Sequence, residues 1–89
     1  MLEKQIERKL VDKVKVLGGI CPKWTGMLGA PDRMVLMPNG SIVFVELKAP
    51  GKKPRAIQLV RHEQLRHLGF RVYVIDSLQG VDEFIAGLK

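Results

Sequence analysis

The chain has 89 residues, of which 46% are hydrophobic and 27% are charged, and it carries a formal net charge of +6 at pH 7. A chain of this length forms one domain, residues 1–89, whose core is near the lower limit for independent stability, so dimerisation would help it. No apolar run is long enough to span a membrane and no targeting signal is present, so we expect a cytoplasmic protein without a membrane partner. The one cysteine, Cys21, excludes an internal disulfide, and with only two histidines it argues against a zinc site.

The positive charge is unevenly placed along the chain. Between residues 46 and 71 there are seven Lys or Arg residues and two acidic ones. A surface of this kind binds polyanions such as DNA or RNA, because neutralising phosphates releases counterions. A solvated basic face would have the same composition, so charge alone leaves both interpretations open.

Helical periodicity predicts a first helix from residue 2 to about residue 17, which Gly18-Gly19 ends. Its predicted apolar side consists of Leu2, Ile6, Leu10, Val14 and Leu17. Glu3 and Glu7 lie on the flank of this side, one turn apart, where a carboxylate faces either a cleft or open solvent. A short strand is then predicted from Ile20 to about Thr25, and Pro22 confines it to a sheet edge or a strand end.

The next segment predicts a β-hairpin. A strand from about Arg33 to Met37 leads into a turn with the Asn-Gly signal of a tight hairpin. The returning strand, Ser41 to Lys48, is apolar on both faces, which indicates burial between helices. Antiparallel pairing brings Asp32 back beside Glu46. Because side chains alternate along a strand, Glu46 and Lys48 share a face.

A basic loop over residues 49–53 precedes a second helix, which begins near Pro54 and runs to about Leu68. Its apolar side is predicted to contain Ile57, Val60, Leu65 and Leu68, with Gln58 at the edge. Polar residues in the same sector indicate a polar site, a partner subunit or plain surface exposure there. A strand over residues 71–75 and a short apolar-faced helix complete the chain.

The predicted order is αβββαβα, an α/β fold with a small mixed sheet flanked by helices. Pro31-Asp32 and Glu46-Leu47-Lys48 bring two carboxylates and one amine together, a set that suggests metal-dependent phosphodiester cleavage. The alternative is an exposed ion pair of Glu46 and Lys48 with Asp32 as a turn residue. That alternative does not explain a strand apolar on both faces followed at once by a basic loop.

The element order and these motifs together resemble the PD-(D/E)XK nuclease superfamily, with its restriction-endonuclease-like core, and within it the VRR-NUC family. Each motif is weak alone, and the ordered set is much stronger. The residues that carry the resemblance are Gly29-Ala30-Pro31-Asp32-Arg33, Val45-Glu46-Leu47-Lys48-Ala49-Pro50-Gly51, Gln58 and Gly69-Phe70-Arg71-Val72-Tyr73-Val74.

The resemblance implies Mg²⁺ or Mn²⁺ bound by Asp32, Glu46 and the backbone carbonyl of Leu47, and no organic cofactor. Hard divalent cations prefer such oxygen ligands and keep several waters. Lys48 would orient the nucleophilic water and stabilise negative charge developing at phosphorus. A role for Lys48 as a general base would require a neutral amine, which the neighbouring carboxylates disfavour.

Two helical residues complete the implied catalytic set. Glu7 best matches a first-helix glutamate that contributes to the metal site in related nucleases, and Glu3 is the reserve. Gln58 matches the family glutamine that follows the lysine motif, with a purely structural glutamine as the alternative. Lys52, Lys53 and Arg55 are candidate DNA phosphate contacts, and Trp24 either stacks on a base or fills the core.

The resemblance extends to stand-alone viral or bacterial members that are similar in organisation to archaeal-type Holliday junction resolvases. It implies an endodeoxyribonuclease that cuts branched DNA, in particular Holliday junctions, during phage or bacterial replication and repair. Symmetric cleavage of a four-way junction needs two active sites, hence a two-fold homodimer. The alternatives are a flap- or duplex-nicking nuclease of the same fold and a non-catalytic DNA-binding module. If the protein is phage-encoded, it works in the cytosol of the bacterial host.

Overall fold

A computed structural model describes residues 2–88 and confirms the α/β fold class, a small mixed sheet flanked by helices. The elements in chain order are α1 Glu3–Val16, β1 Arg33–Leu36, β2 Ile42–Leu47, α2 Ala56–His67, β3 Arg71–Ile75 and α3 Leu78–Leu88. No helix in this part of the chain is long and apolar enough to cross a membrane.

The sheet has the strand order β1-β2-β3. β1 and β2 pair antiparallel through the predicted hairpin, whereas β2 and β3 pair parallel because α2 carries the chain across one face of the sheet. At the hairpin turn Gly40 has φ +84°, and the backbone N–H of Met37 donates to the carbonyl of Ser41 at 3.0 Å. β2 is therefore the central strand, and only Ile42 at its start is exposed.

The two faces of the sheet differ in chemistry. One face packs on α1 and α3 and forms the larger apolar core, to which β2 contributes Val43, Val45 and Leu47. The opposite face carries Phe44 and Glu46 and is covered by α2. Phe44 packs there with Leu65 of α2, and Trp24 lies partly buried against the same cluster. The polar site thus lies on the α2 face, separate from the larger core.

The predicted strand from Ile20 to Thr25 is wrong as a continuous strand. The segment lies along the outer edge of β1 and pairs with it only through isolated bridges at Ile20 and Lys23. Pro22 explains the interruption, because its carbonyl accepts a hydrogen bond from Met34 N–H at 3.0 Å but its nitrogen has no hydrogen to return one. The described order is therefore αββαβα with a bridged segment before β1.

The predicted apolar sides of the helices also need correction. Leu2 precedes the first residue of α1 and is 68% exposed. Val60 of α2 is 50% exposed, and Leu68, just after the helix, is 72% exposed. The residues that α2 buries are Gln58, His62 and Leu65. The helix is rotated relative to its hydrophobic pattern because two polar side chains face the sheet.

Candidate active site

The two carboxylates meet where the hairpin begins and ends. Arg33 is the register partner of Val45, which places Asp32, one residue earlier, opposite Glu46. Asp32 Oδ2 accepts a hydrogen bond of 2.8 Å from the backbone N–H of Leu47. The side chain of Asp32 thus prolongs the β1–β2 ladder by one bond, and the predicted proximity of Asp32 and Glu46 is confirmed.

Glu46 is almost completely withdrawn from solvent, with a side chain that is 1% exposed. Its Oε2 accepts a 3.1 Å hydrogen bond from Gln58 Nε2 and lies 3.5 Å from Lys48 Nζ. Its Oε1 has no hydrogen-bond partner. Burial, followed by repulsion from Asp32, raises the pKa of Glu46 to about 7, although Lys48 partly opposes this shift. The site therefore holds a carboxyl group that titrates near neutrality.

Lys48 directly follows β2 and is fixed there by its backbone N–H, which donates to the carbonyl of Ile75 at 3.0 Å. Its side chain is 15% exposed and shares a face with Glu46, as the strand alternation predicted. The ammonium group is thus held at the edge of the buried carboxylate pair. That position is suitable for stabilising an additional negative charge brought by a substrate.

Gln58 is brought to the site by the first turn of α2. While Nε2 donates to Glu46, Oε1 accepts a 2.7 Å hydrogen bond from the backbone N–H of Arg55. The first turn of a helix has N–H groups without intrahelical partners, and Gln58 satisfies one of them. Gln58 therefore caps the helix and contacts Glu46, and its role in catalysis stays a prediction.

Glu7 lies close to the site but is engaged elsewhere. Its Oε2 accepts a 2.9 Å hydrogen bond from Arg33 Nε, and Arg33 Nη1 donates to the carbonyl of Cys21. Glu3, Glu7 and Asp32 line one open cavity of about 260 Å³. Within residues 2–88 no group of three or more His, Cys, Asp or Glu side chains is arranged as a metal site. A role for Glu7 as a metal ligand stays a prediction.

His62 is the site residue that sequence reasoning missed. Its Nε2 lies 3.5 Å from Glu46 Oε1, and neither ring nitrogen has a hydrogen-bond partner. Burial, with smaller contributions from Arg66 and Lys48, lowers the pKa of His62, so the imidazole is neutral at pH 7. The available signal was its position four residues after Gln58, which places both on one helical face.

The three predicted DNA contacts occupy different positions. Arg55, at the start of α2, lines a cavity of about 480 Å³ together with Asp32 and Gln58. Lys52 and Lys53 are exposed in the loop between β2 and α2. The structure brings Arg55 to the site. The two lysines, which are close to Arg55 in sequence, are exposed on the surface.

The oxygen atoms present are suitable for a hard divalent cation. Two carboxylates lie side by side, and the unpartnered Oε1 of Glu46 is a buried acceptor. The N–H and C=O groups of one strand residue point to the same neighbouring strand, so the Leu47 carbonyl points to the edge where its N–H meets Asp32. Adjacent carboxylates repel unless a proton or a cation lies between them. The donor set therefore fits Mg²⁺ or Mn²⁺.

Comparison with known proteins finds similar chains. A solved structure described as a VRR_NUC domain matches with a TM-score of 0.90 and 36% identity, over 98% of this chain and 97% of that one. A curated relative named "Putative nuclease p44", from Acyrthosiphon pisum secondary endosymbiont phage 1, is 51% identical over 77 residues, which cover 84% of this chain and 83% of the relative. No family model matches the chain.

Fold and site together define a nuclease with a PD-(D/E)XK-type core. Within that class, the chain belongs to the VRR-NUC family, as its motifs predicted.

Proposed function

We propose that this nuclease is a Mg²⁺- or Mn²⁺-dependent endodeoxyribonuclease that cuts branched DNA, in particular Holliday junctions, as a two-fold homodimer. The observation that carries the metal-dependent chemistry is the joint position of Asp32, Glu46 and Lys48, with Lys48 Nζ 3.5 Å from Glu46 Oε2. Bound cations favour the ionised form of both acids.

Asp32, Glu46 and the Leu47 carbonyl would hold the cation, and Glu7 could supply a further oxygen from the adjoining cavity. When bound, the cation supplies Lewis-acid stabilisation of the scissile phosphate and offsets the repulsion between that phosphate and the carboxylates. Gln58 holds one carboxylate oxygen of Glu46 from the α2 side by a hydrogen bond, and His62 lies beside the other at 3.5 Å. Glu46 therefore keeps a fixed orientation toward Asp32.

Lys48 acts on the substrate. Its ammonium group donates to the attacking water or to a non-bridging phosphate oxygen, and it stabilises the negative charge that grows as the water oxygen bonds to phosphorus. One P–O ester bond breaks, and the departing alcohol takes up a proton. Lys48 serves as a positioning and electrostatic group, because its Nζ is held 3.5 Å from Glu46 Oε2 at the edge of the carboxylate pair.

The basic charge between residues 46 and 71 supports a phosphate backbone as the ligand, and Arg55 supplies one such charge beside Asp32. Lys52 and Lys53 are the proposed flanking contacts. Leu59 and Val60 of α2, both about half exposed, and Leu68 just after it support a surface for a second copy. The phage origin of the 51% identical relative supports a setting in phage DNA replication or repair, in the bacterial cytosol.

The test uses labelled four-way junction, flap and linear duplex of matched sequence, each with and without Mg²⁺ or Mn²⁺. Asp32→Ala and Glu46→Ala should abolish cutting. Asp12→Ala and Glu83→Ala, at exposed acids of α1 and α3, are the matched controls and should cut normally. Cutting without metal, or cutting that survives at position 32 or 46, contradicts the metal-dependent site.

Two further outcomes separate the finer parts of the proposal. Equal cutting of junction and linear duplex would contradict branch selectivity and support a duplex-nicking nuclease. A monomeric mass in solution, with and without junction DNA, would contradict the homodimer. Binding of DNA with no cutting under any metal would support a non-catalytic module.

A further inference from the structure

We propose that the cavity between the loop over residues 24–30 and the first turn of α2 binds one unpaired nucleotide next to the scissile phosphate, with Trp24 as the wall for its base. This inference rests on the proposed nuclease function and identifies how the site would recognise its DNA. The cavity measures about 480 Å³ and contains Asp32, so a ligand in it lies directly beside the proposed reaction centre.

The two walls of this cavity match the two parts of a nucleotide. Trp24, Met27 and Leu28 form an apolar wall, and Leu28 is 75% exposed. Arg55 and Gln58 form the opposite polar wall. An unpaired base offers a flat apolar face to an aromatic wall, and its phosphate offers a charge to an arginine.

The cavity on the other side of Asp32 has the opposite chemistry. It measures about 260 Å³ and is lined by Glu3, Glu7 and Asp32 as well as by Lys23, Trp24 and Thr25. Three carboxylates outnumber the one lysine of this lining, which favours a cation there and disfavours a phosphate. Asp32 and Trp24 border both cavities and so separate a side that suits a cation from a side that suits a nucleotide.

The apolar wall is fixed before any ligand binds. The centroid of the Trp24 ring lies 4.9 Å from that of the Phe44 ring, and the backbone N–H of Trp24 donates to the Asp32 carbonyl at 3.0 Å. Arg61 of α2 donates to the Leu28 carbonyl at 2.9 Å. Gly29 has φ +78°, and a Cβ there would lie 2.9 Å from the Ile57 carbonyl oxygen, so only glycine permits this approach. A preformed wall lowers the ordering cost of binding.

Gly26 determines how the indole is placed. A Cβ at position 26 would lie 2.5 Å from Trp24 Nε1 and 2.6 Å from Cε2. Gly26→Ala therefore moves the indole without removing it. In continuous duplex the bases are stacked and paired, so a base can enter this cavity only where a strand is unpaired, as at a branch point. The cavity would thus favour branched over continuous DNA.

The test uses Trp24 itself as a probe, because it is the one tryptophan of the chain. In EDTA, which prevents cutting, tryptophan emission is followed during titration with a single-stranded oligonucleotide, a junction carrying one unpaired nucleotide at the branch, and a continuous duplex. We expect quenching by the first two DNAs and none by the duplex. Equal quenching by all three, or by none, overturns the proposal.

Variants give a second readout. Trp24→Leu should weaken binding of the unpaired DNAs about tenfold, Gly26→Ala should also weaken it, and Trp24→Phe should retain most of it. Affinity for continuous duplex should change much less than affinity for unpaired DNA in all three. Unchanged affinity for unpaired DNA in folded Trp24→Leu overturns the site. Metal-dependent cutting without quenching rejects this inference alone, whereas quenching without cutting in any metal rejects the proposed catalysis and keeps the binding site.

Discussion

His62 Nε2 lies 3.5 Å from Glu46 Oε1 across the interface between α2 and the sheet, and both atoms are buried without a hydrogen-bond partner. Buried polar atoms are nearly always satisfied, and unpaired ones carry a desolvation cost. Two such atoms therefore face one another at the proposed reaction centre. The contact between His62 and Glu46 therefore contributes little to the stability of the fold.

Substitution of His62 should separate packing from polarity. His62→Ala leaves a cavity and should lower the free energy of unfolding by about 2 kcal/mol. His62→Leu fills the space and removes two unpaired nitrogens, so the free energy of unfolding should rise by about 1 kcal/mol. Urea denaturation without metal measures both. If the leucine variant is destabilised as much as the alanine variant, the imidazole makes a favourable contact with Glu46.

Glu46 should make the metal-free protein less stable as the pH rises. Its pKa in the folded state is raised to about 7 from an unperturbed 4.5, so the stabilising contribution is complete below pH 4.5 and is lost as the pH rises through 7. The lowered pKa of His62 has the opposite effect on stability, because it makes the folded protein less stable as the pH falls below 6.5. The measurement is therefore the difference in melting temperature between wild type and Glu46→Gln from pH 4 to 8. Glu83→Gln is the control, and a constant difference would contradict the assignment.

Divalent cations should reverse this pH effect. A cation between Asp32 and Glu46 favours the ionised carboxylates, so Mn²⁺ should raise the melting temperature more at pH 8 than at pH 5.5. Asp32→Asn should abolish the Mn²⁺ effect, and Asp12→Asn should retain it. A Mn²⁺ effect that is equal at both pH values, or that survives Asp32→Asn, would place the cation elsewhere.

Lys48→Met should lower the rate of the chemical step about 100-fold, because it removes one donor to the developing negative charge. The affinity for Mn²⁺ should not fall, since removing a positive charge 3.5 Å from Glu46 leaves the carboxylates more attractive to a cation. Single-turnover cleavage and calorimetry measure the two quantities. Lys4→Met, at an exposed residue of α1, is the charge-matched control. Loss of Mn²⁺ binding together with the rate would indicate a damaged fold.

The hairpin that positions the site could be predicted from sequence because its signals are local. The Asn-Gly turn sets the register, and the register alone brings Asp32 to Glu46. The strand predicted from Ile20 is interrupted at Pro22, because the proline nitrogen has no hydrogen and cannot complete the pair of hydrogen bonds with Met34. The sequence shows that a proline removes one hydrogen bond from a strand, but it does not predict how many of the neighbouring strand hydrogen bonds form.

The orientation of α2 could not be predicted from its hydrophobic pattern. That pattern places Val60 and Leu68 toward the core, whereas the helix buries Gln58 and His62. Both are buried because Glu46, a polar residue on the covered face of β2, needs neighbours that can accommodate a carboxyl group. A prediction based on apolar periodicity cannot identify a helix whose buried face is polar because it borders a functional site.

The bond between Asp32 Oδ2 and the Leu47 N–H has a thermodynamic consequence for ligand binding. A free aspartate loses rotational freedom when it captures a ligand, and that loss opposes binding. In this chain the backbone of β2 has already immobilised the Asp32 side chain during folding. Its second oxygen is therefore held in one direction, and capture of a ligand there would require no further loss of side-chain entropy.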